Sequence, residues 1–209
     1  MIFEELPLQF DVKKLRSHLR EFVVPLSPHM VGKFFGGWSV LSSNGSYLDG
    51  WVSGERAFQP EFMPGSSVKE KLSVLGVKTA AEYCQPTEIC TGYLREVVDT
   101  VRDAGFEPSR ARLSLLKAHG QSTLHRDGPD SAYIVRLHVP IITNEHCFFN
   151  CDDGSAHLHA TGGSYLLRVN RMHQVVNSGE KDRIHLIMSV RDTKGVSQFH
   201  RPSKGHDDF

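Results

Sequence analysis

Residues 183–190 read Arg-Ile-His-Leu-Ile-Met-Ser-Val. Arg183, His185 and Ile187 fall on one side of an extended chain, and Ile184, Leu186, Met188 and Val190 on the other, the two-residue period of a strand with one dry face. The same period governs the runs before it: Leu113 to Leu116, Tyr133 to Ile141, Cys147 to Asn150, Ala156 to Ala160, Ser164 to Val169 and His173 to Val176, separated by Gly, Asp and Asn turns. From Ala111 onward the chain is therefore read as a mainly β, antiparallel body of seven or more strands. It must close as a sandwich or as a jelly-roll barrel, since either removes or shortens exposed edges.

Before Ala111 the signals are helical. Asp11 is placed to cap a helix whose apolar positions Val12, Leu15, Leu19, Phe22 and Val23 recur at helical spacing until Pro25 ends it. The longest helix is expected from Glu88 to Ala104, with Thr87 as N-cap, Gly105 just past its end and a stripe of Ile89, Tyr93, Leu94, Val97, Val98 and Val101. These read as supporting helices laid on a sheet. A short helix is expected over Val68 to Leu75, closed by Gly76, after a loop at 57–67, and Thr79 with Glu82 matches a capping box. The stretch Phe34 to Ser43, broken by Gly36 and Gly37, reads as one or two strands joined by the turn Ser43-Asn44-Gly45-Ser46. Trp38, Ser42, Ser43 and Trp51 are candidates to line a pocket, against the alternative that the tryptophans simply pack in the core.

Bulk composition bounds the function. A chain of 209 residues can close a sizeable core, and one domain is the expectation. Lys plus Arg and Asp plus Glu both number 24, so no net field steers the protein toward nucleic acid or an anionic membrane surface. The partner expected is a small molecule; the sequence leaves the oligomeric state open. The four cysteines, at 84, 90, 147 and 151, lack the spacing of a disulfide framework or a paired metal motif and read as free thiols. No basic, apolar leader and no long apolar run is visible, so a cytoplasmic protein is expected.

The chemistry concentrates in the strands. In an extended chain His125 and Asp127 point the same way while Arg126 points away, so the pair can face one metal ion. His173, in a later β-run, is the natural third ligand, and two imidazoles with one carboxylate suit Fe(II) with open coordination positions, although catalytic zinc accepts the same set. With 12 histidines in the chain a His-x-Asp pair alone carries little weight. Arg183, directed into a barrel, needs a carboxylate partner, and its planar fork suits a bidentate one. That partner is either a bound acid or a protein group such as Asp182 or Glu180. Arg136 and His138 share a face of an otherwise apolar strand, so they too point to a polar interior site, or to an internal salt bridge and a histidine satisfied by backbone.

With these residues in view, the chain resembles the aspartyl/asparaginyl β-hydroxylase family, within the Fe(II)/2-oxoglutarate dioxygenases. The resemblance rests on the Ser114 strand, His125-Arg-Asp127, Arg136-Leu-His138-Val-Pro-Ile-Ile-Thr-Asn144, His173-Gln-Val-Val-Asn177 and Asp182-Arg-Ile-His-Leu186, and covers about residues 110 to 190. It implies a double-stranded β-helix, a cupin-like jelly roll with N-terminal supporting helices. It further implies a single dioxygenase domain over 1–209: support and substrate region 1–109, metal-binding core 110–192, tail 193–209. His125, Asp127 and His173 would be the metal ligands and catalytic centre. Arg183, Ser114, Arg136 and His138 would bind the co-substrate, and Arg136 with Trp38, Ser42 and Trp51 would lie toward the substrate. The implied cofactors are Fe(II), with 2-oxoglutarate and O₂ as co-substrates. Asp127 stands where some relatives have glycine, which favours a full facial triad and argues against the related halogenases.

Substrate choice is expected around Lys33 to Trp51 and in the loop Gly128-Pro-Asp-Ser131. A free amino acid or amino-acid-derived metabolite is preferred over an aspartyl or asparaginyl residue of a protein, because no peptide-binding module is recognisable. Two rivals make different demands. A cupin-like isomerase or hydrolase would need no keto acid and would pair Arg183 internally, and a non-catalytic sensor would bind metal without forming succinate.

Overall fold

The computed structural model describes residues 2–51, 78–127 and 135–200. The helix expected over Val68 to Leu75, the loop at 57–67, the Gly128–Ser131 loop, Tyr133 and Ile134, and the tail from Arg201 lie outside the described residues. The strands are β1 (Phe3–Gln9), β2 (His29–Met30), β3 (Phe35–Ser39), β4 (Leu41–Ser42), β5 (Gln85–Pro86), β6 (Phe106–Leu116), β7 (Gly120–Gln121), β8 (Val135–Ile142), β9 (Cys147–Cys151), β10 (Gly154–Ala156), β11 (Gly163–Arg168), β12 (His173–Asn177) and β13 (Arg183–Asp192). The helices are α1 (Val12–His18), continued by a π-helical turn at Leu19–Val23, and α2 (Gly92–Asp103).

Seven strands form a major antiparallel sheet in the order β1-β11-β8-β13-β6-β3-β2, and four form a minor sheet in the order β10-β9-β12-β7. One face of the major sheet carries Ala111, Leu113, Leu115, Val135, Leu137, Val139, Ile141, Ile184, Leu186, Met188 and Val190, all buried in one cluster with α1 and α2. Each such side chain contributes roughly 1.5–3 kcal/mol relative to exposure, so this layer holds the fold together. The opposite face turns toward the minor sheet. There Tyr165 and Leu167 of β11 meet Phe149 of β9, with Leu158, in a smaller cluster, and beside it the inner face carries the polar residues Ser114, His138, Arg183 and His185.

The local signals explain the supports and where they depart from expectation. Asp11 Oδ1 accepts from Lys13 N at 2.8 Å and Lys14 N at 3.1 Å, capping α1 as its position implies. Leu15, Leu19 and Val23 are buried, but Phe22 is exposed, because the wider π-helical turn takes it off the stripe. The long helix starts later than expected. Thr87 is not its cap: the Thr87 hydroxyl donates to Ser39 O at 2.7 Å, tying β5 to β3, and Gly92, at φ +48°, opens a helix capped at Thr91. Of the stripe as read, Leu94, Val97, Val98 and Val101 are buried, Tyr93 is half-buried, and the buried Ile89 precedes the helix; Gly105 follows its end. Thr79 and Glu82 form the capping box around a short 3₁₀ turn.

Two strands differ from the sequence reading. β1 gave no alternation strong enough to mark it, yet it pairs with β11 as an edge of the major sheet. The run expected at Ala156 to Ala160 is instead β10, Gly154–Ala156, because the tight return from β9 spends its pairing on Gly154, Ser155 and Ala156. The Ser43–Ser46 turn is present, stitched by Ser46 N to Asn44 Oδ1 at 3.0 Å, but the strand before it, β4, pairs with β5. Among the described residues all four cysteines are free thiols, and no helix is long and apolar enough to cross a membrane.

Candidate active site

The site sits where the minor sheet meets the segment after β7. His125 and His173 form an isolated antiparallel bridge, His125 N to His173 O at 3.0 Å and His173 N to His125 O at 2.7 Å, which brings their rings to 4.4 Å. Asp127 follows two residues on and is anchored by its own N–H to Val169 O at 2.8 Å. One ligand atom from each of His125, Asp127 and His173 lies within 4.8 Å of the others.

The second contacts of these histidines fix their chemistry. His125 Nδ1 sits 2.8 Å from Thr123 O, and His173 Nδ1 sits 2.8 Å from Arg171 O. A carbonyl can only accept, so both Nδ1 atoms carry the proton and both Nε2 atoms keep a lone pair, the tautomer a metal requires. Phe149 stacks on the His173 ring at 5.3 Å. Burial lowers the His173 pKa, which keeps the imidazole neutral. For Asp127, burial alone would raise the pKa, but Arg136, then His173, His125 and Arg110, outweigh it and hold the carboxyl below its ordinary value. Arg136 Nη2 is 3.0 Å from Asp127 Oδ2, while Asp127 Oδ1 is 3.7 Å from His125 Nε2. One carboxylate oxygen is thereby held by arginine, and the other faces the imidazoles.

A second group lies on the inner face of the major sheet. Arg183 is 2% exposed, and among the described residues no carboxylate pairs with it. The two acids that could have neutralised it are engaged elsewhere: Asp182 accepts from Ala118 N at 2.8 Å, and Glu180 pairs with His119 at 3.1 Å. Burial pushes the Arg183 pKa down to about 10, with Cys147 opposing, so it stays charged at neutral pH. Arg183 Nη2 is 2.8 Å from His185 Nδ1. Arginine can only donate, so His185 carries its proton on Nε2, and that buried N–H has no partner among the described residues. Ser114, directly opposite His185 in the β6–β13 register, has an unpartnered buried hydroxyl, and the buried His138 has an unpartnered Nδ1. Burial, then Arg183, drives both His138 and His185 well below the usual histidine pKa. Native structures leave few such atoms unsatisfied, so the cluster of Arg183, His185, Ser114 and His138 is a candidate cradle for an acid.

The start of this cradle is pinned by Asn177. Its side-chain nitrogen donates to Lys117 O at 3.1 Å and Lys181 O at 2.9 Å, and its oxygen accepts from Asn144 Nδ2 at 3.1 Å and Cys147 Sγ at 3.1 Å. These bonds lock the turn that leads into β13.

The expected residues sort cleanly by geometry. His125, Asp127, His173 and Arg136 come together, as do Ser114, His138 and Arg183. Trp38 and Ser42 do not join them. Trp38 belongs to the outer core, its Nε1 donating to Leu26 O at 2.9 Å, and Ser42 is fully buried with its hydroxyl accepting from Gly45 N. The reason is parity: Trp38 pairs with Leu113 and shares its outward side. Trp51 does face the inner side, beneath the Arg112 guanidinium at 4.7 Å. His185 and Arg112 were legible by the same alternation that marks Arg136 and His138, since Arg112 shares its face with Ser114 and His185 with Arg183.

No curated protein sequence matches the chain. A 2OG-Fe(II) oxygenase-family oxidoreductase from Burkholderia pseudomallei superposes with a TM-score of 0.50 at 11% identity, over 91% of this chain and 84% of that one, and shares the fold. A prolyl-4-hydroxylase from Pseudomonas putida is similar at TM-score 0.46 and 12% identity, over 90% of this chain and 91% of that one. A cupin domain from Bordetella pertussis Tohama I reaches TM-score 0.31 and 18% identity over 42% of this chain and 94% of that one. The two facing sheets are a cupin-like jelly roll. The sequence profile of the family described as Aspartyl/Asparaginyl beta-hydroxylase matches residues 74–193, more than half of the chain and the whole stretch from Ser114 to Arg183, so the protein belongs to that family and is a hydroxylase-class enzyme.

Proposed function

We propose that the protein is an Fe(II)/2-oxoglutarate-dependent dioxygenase acting on an amino acid, an amino-acid-derived metabolite or an aspartyl or asparaginyl residue. The observation that carries this reading is the buried, charged Arg183 with no protein carboxylate among the described residues, surrounded by the unpartnered polar atoms of His185, Ser114 and His138. A cupin-like isomerase or hydrolase would have no use for that cradle. A dicarboxylic keto acid would fill it at one end and reach a metal at the other.

The donor set fits iron. His125 Nε2, His173 Nε2 and one Asp127 oxygen, within 4.8 Å of one another, make a two-histidine, one-carboxylate site with open positions. Arg183 would take the distal carboxylate of 2-oxoglutarate through its planar fork, with the Ser114 hydroxyl and the His185 Nε2–H donating beside it. When bound, iron and 2-oxoglutarate supply the chemistry of O₂-dependent hydroxylation of an unactivated C–H bond, coupled to conversion of the keto acid to succinate and CO₂.

The chain's own residues orient and shield. Thr123 O and Arg171 O keep both ligand imidazoles in the coordinating tautomer. Arg136 holds the outer Asp127 oxygen and leaves the other for the metal. Phe149, Leu158, Tyr165 and Leu167 close the interior beside the cradle and exclude water from it. Burial keeps His138 and His185 neutral, so neither competes with the acid as a cation or repels Arg183.

The test is spectroscopic. Anaerobic addition of Fe(II) and 2-oxoglutarate to the purified protein is expected to give the weak visible charge-transfer band of the chelate. His173→Ala and Arg183→Ala are expected to lose it. A wild-type protein without the band overturns the reading.

A further inference from the structure

β6 carries a second cationic site on its inner face, separate from Arg183. Arg112 lies two residues along the strand from Ser114, about 6.8 Å at the usual rise, and Arg110 lies two further. The β6–β13 register shifts here, between Ile187 and Ser189, and Arg110 takes φ +44°, a conformation that a residue with a Cβ adopts at a cost. Both arginines are half-buried and lie on aromatic rings: the Arg112 guanidinium is 4.7 Å from the Trp51 ring, and that of Arg110 is 4.7 Å from the Tyr83 ring. Arg112 also donates to Gly50 O. Gly37 makes room for this arrangement, since a Cβ there would stand 3.0 Å from the Trp51 ring and 2.0 Å from Leu113 O.

Among the described residues no carboxylate pairs with Arg112, and its enclosed Nε has no hydrogen-bond partner. Exposed arginines of the same chain do find carboxylates, as Arg95 and Arg102 do at Asp99 and Arg171 does at Asp153. Arg110 and Arg136 act on Arg112 as like charges, and Asp127, whose carboxylate Arg136 already holds, acts on it as the opposing one. By strand parity Arg112 stands on the same inner side as Ser114, without an anion of its own among the described residues. An arginine clamped flat on an indole, with a donor left over, is built for a planar anion. At a half-buried position, that uncompensated charge costs stability unless a ligand supplies the opposite sign.

We propose that Arg112, seated on Trp51 and flanked by Arg110, binds a carboxylate of the substrate, and that the substrate is a free small carboxylic acid of the amino-acid class rather than a residue within a polypeptide. The inference rests on the dioxygenase reading above and narrows its substrate. The barrel then holds two acids at once. Arg183 takes the co-substrate's distal carboxylate from within, and Arg112 takes the substrate's from the Trp51 side, which sets the oxidised carbon a few bonds from that carboxylate. An internal peptide residue has no α-carboxylate to offer, and an aspartyl residue brings only its side-chain carboxylate, so a blocked aspartyl peptide is the probe that separates the two substrate kinds.

The experiment compares free L-amino acids with their carboxamides and with blocked aspartyl and asparaginyl peptides. Succinate release is scored with iron and 2-oxoglutarate, and thermal unfolding is scored on the metal-free protein. At least one free acid is expected to stimulate succinate release and raise the unfolding temperature, with its carboxamide weaker by roughly 100-fold or more. Arg112→Met is expected to lose both responses and the acid-over-amide preference while retaining the anaerobic Fe(II)–2-oxoglutarate band, and Arg112→Lys is expected to recover part of the preference. Three results overturn the proposal: a blocked peptide or an amide that serves as well as the acid, a panel in which no free acid evokes either response while the band is intact, or an Arg112→Met protein that keeps the preference. Loss of the band in folded Arg112→Met also overturns it, by assigning Arg112 to the co-substrate. Failure of the dioxygenase reading is told apart because wild-type protein then shows no band at all.

Discussion

The two faces of the seven-stranded sheet are made by the same strands and have opposite characters. Outward, Leu113, Leu137, Leu186 and Met188 are fully buried against α1 and α2. Inward, one residue away in each strand, stand Ser114, His138 and His185, each with an enclosed polar atom that none of the described residues satisfies. The outer face is where stability comes from. The inner face gives stability up, since each unsatisfied buried polar group costs about 1–3 kcal/mol, and what it keeps in exchange is a charged, dry, pre-shaped site. Fold and function are thus segregated by strand parity.

The comparison breaks most easily along β13, where the faces alternate residue by residue. Leu186→Ala is expected to lower unfolding stability by about 2–5 kcal/mol, from lost transfer and the cavity left behind, as read by urea denaturation. Arg183→Met is expected to change stability by no more than about 1 kcal/mol, because relief of the buried charge offsets the lost His185 bond. The same Arg183→Met is expected to weaken 2-oxoglutarate binding at least ~30-fold, the size of losing one partner of a buried charged pair. Equal destabilisation by the two substitutions would mean that the inner face is structural after all.

The next test uses protons. Burial first, and Arg183 second, hold the folded pKa of His138 and His185 well below the ordinary histidine value. Below about pH 6.5 the unfolded chain binds protons at these positions that the folded protein refuses, so stability is full above that pH and falls as pH drops. From about pH 7.5 to about pH 5.5 the two sites together are expected to remove roughly 2–3 kcal/mol. The double variant His138→Gln, His185→Gln is expected to flatten the urea-derived profile over that range by the same amount. An unchanged slope would mean that these histidines take up protons in the folded state. An acid bound at Arg183 would shift the profile, and this measurement uses metal-free protein without 2-oxoglutarate.

What the sequence disclosed follows the same parity. Alternation in residues 183–190 and 135–141 exposed both faces at once, so the antiparallel body and the inward side of Arg136, His138 and Arg183 were readable; the choice of jelly roll over sandwich, and the weight placed on His125, Asp127 and His173, came from the family resemblance. The failures arose where alternation carries no information. Phe3–Gln9 became an edge strand because Gly163 to Leu167 of β11 needed a partner, a tertiary demand that local pattern does not record. Trp38 looked like a pocket residue by its chemistry, yet register puts it beside Leu113 on the dry side. Thr87 had the chemistry of an N-cap, but its hydroxyl was worth more across to Ser39 and Val40 than at a helix end. Arg112 has the parity of Ser114, and His185 that of Arg183, so the same alternation reaches both.

The smallest effect sharpens the contrast most narrowly. β13 carries a third charged contrast at its far end, where Arg191 lies opposite Glu107 of β6 and pairs with it, both side chains about half exposed. Arg183 and Arg191 are the same residue type on the same strand. Water screens the Arg191 pair and supplies either partner with hydrogen bonds when the other is lost, so Glu107→Gln is expected to change stability by less than ~1 kcal/mol and to lose even that in molar salt. Co-substrate binding should not respond to it at all. Arg183 is closed off from solvent and has no acid partner among the described residues, so on the proposed reading a bound carboxylate supplies what Glu107 supplies to Arg191. Titrating 2-oxoglutarate into wild-type, Glu107→Gln and Arg183→Met proteins therefore asks one question of one strand: whether an arginine's worth is set by its type or by what surrounds it. A Glu107→Gln protein with weakened 2-oxoglutarate binding would show that the two ends of β13 are coupled, and that the inner face does not act alone.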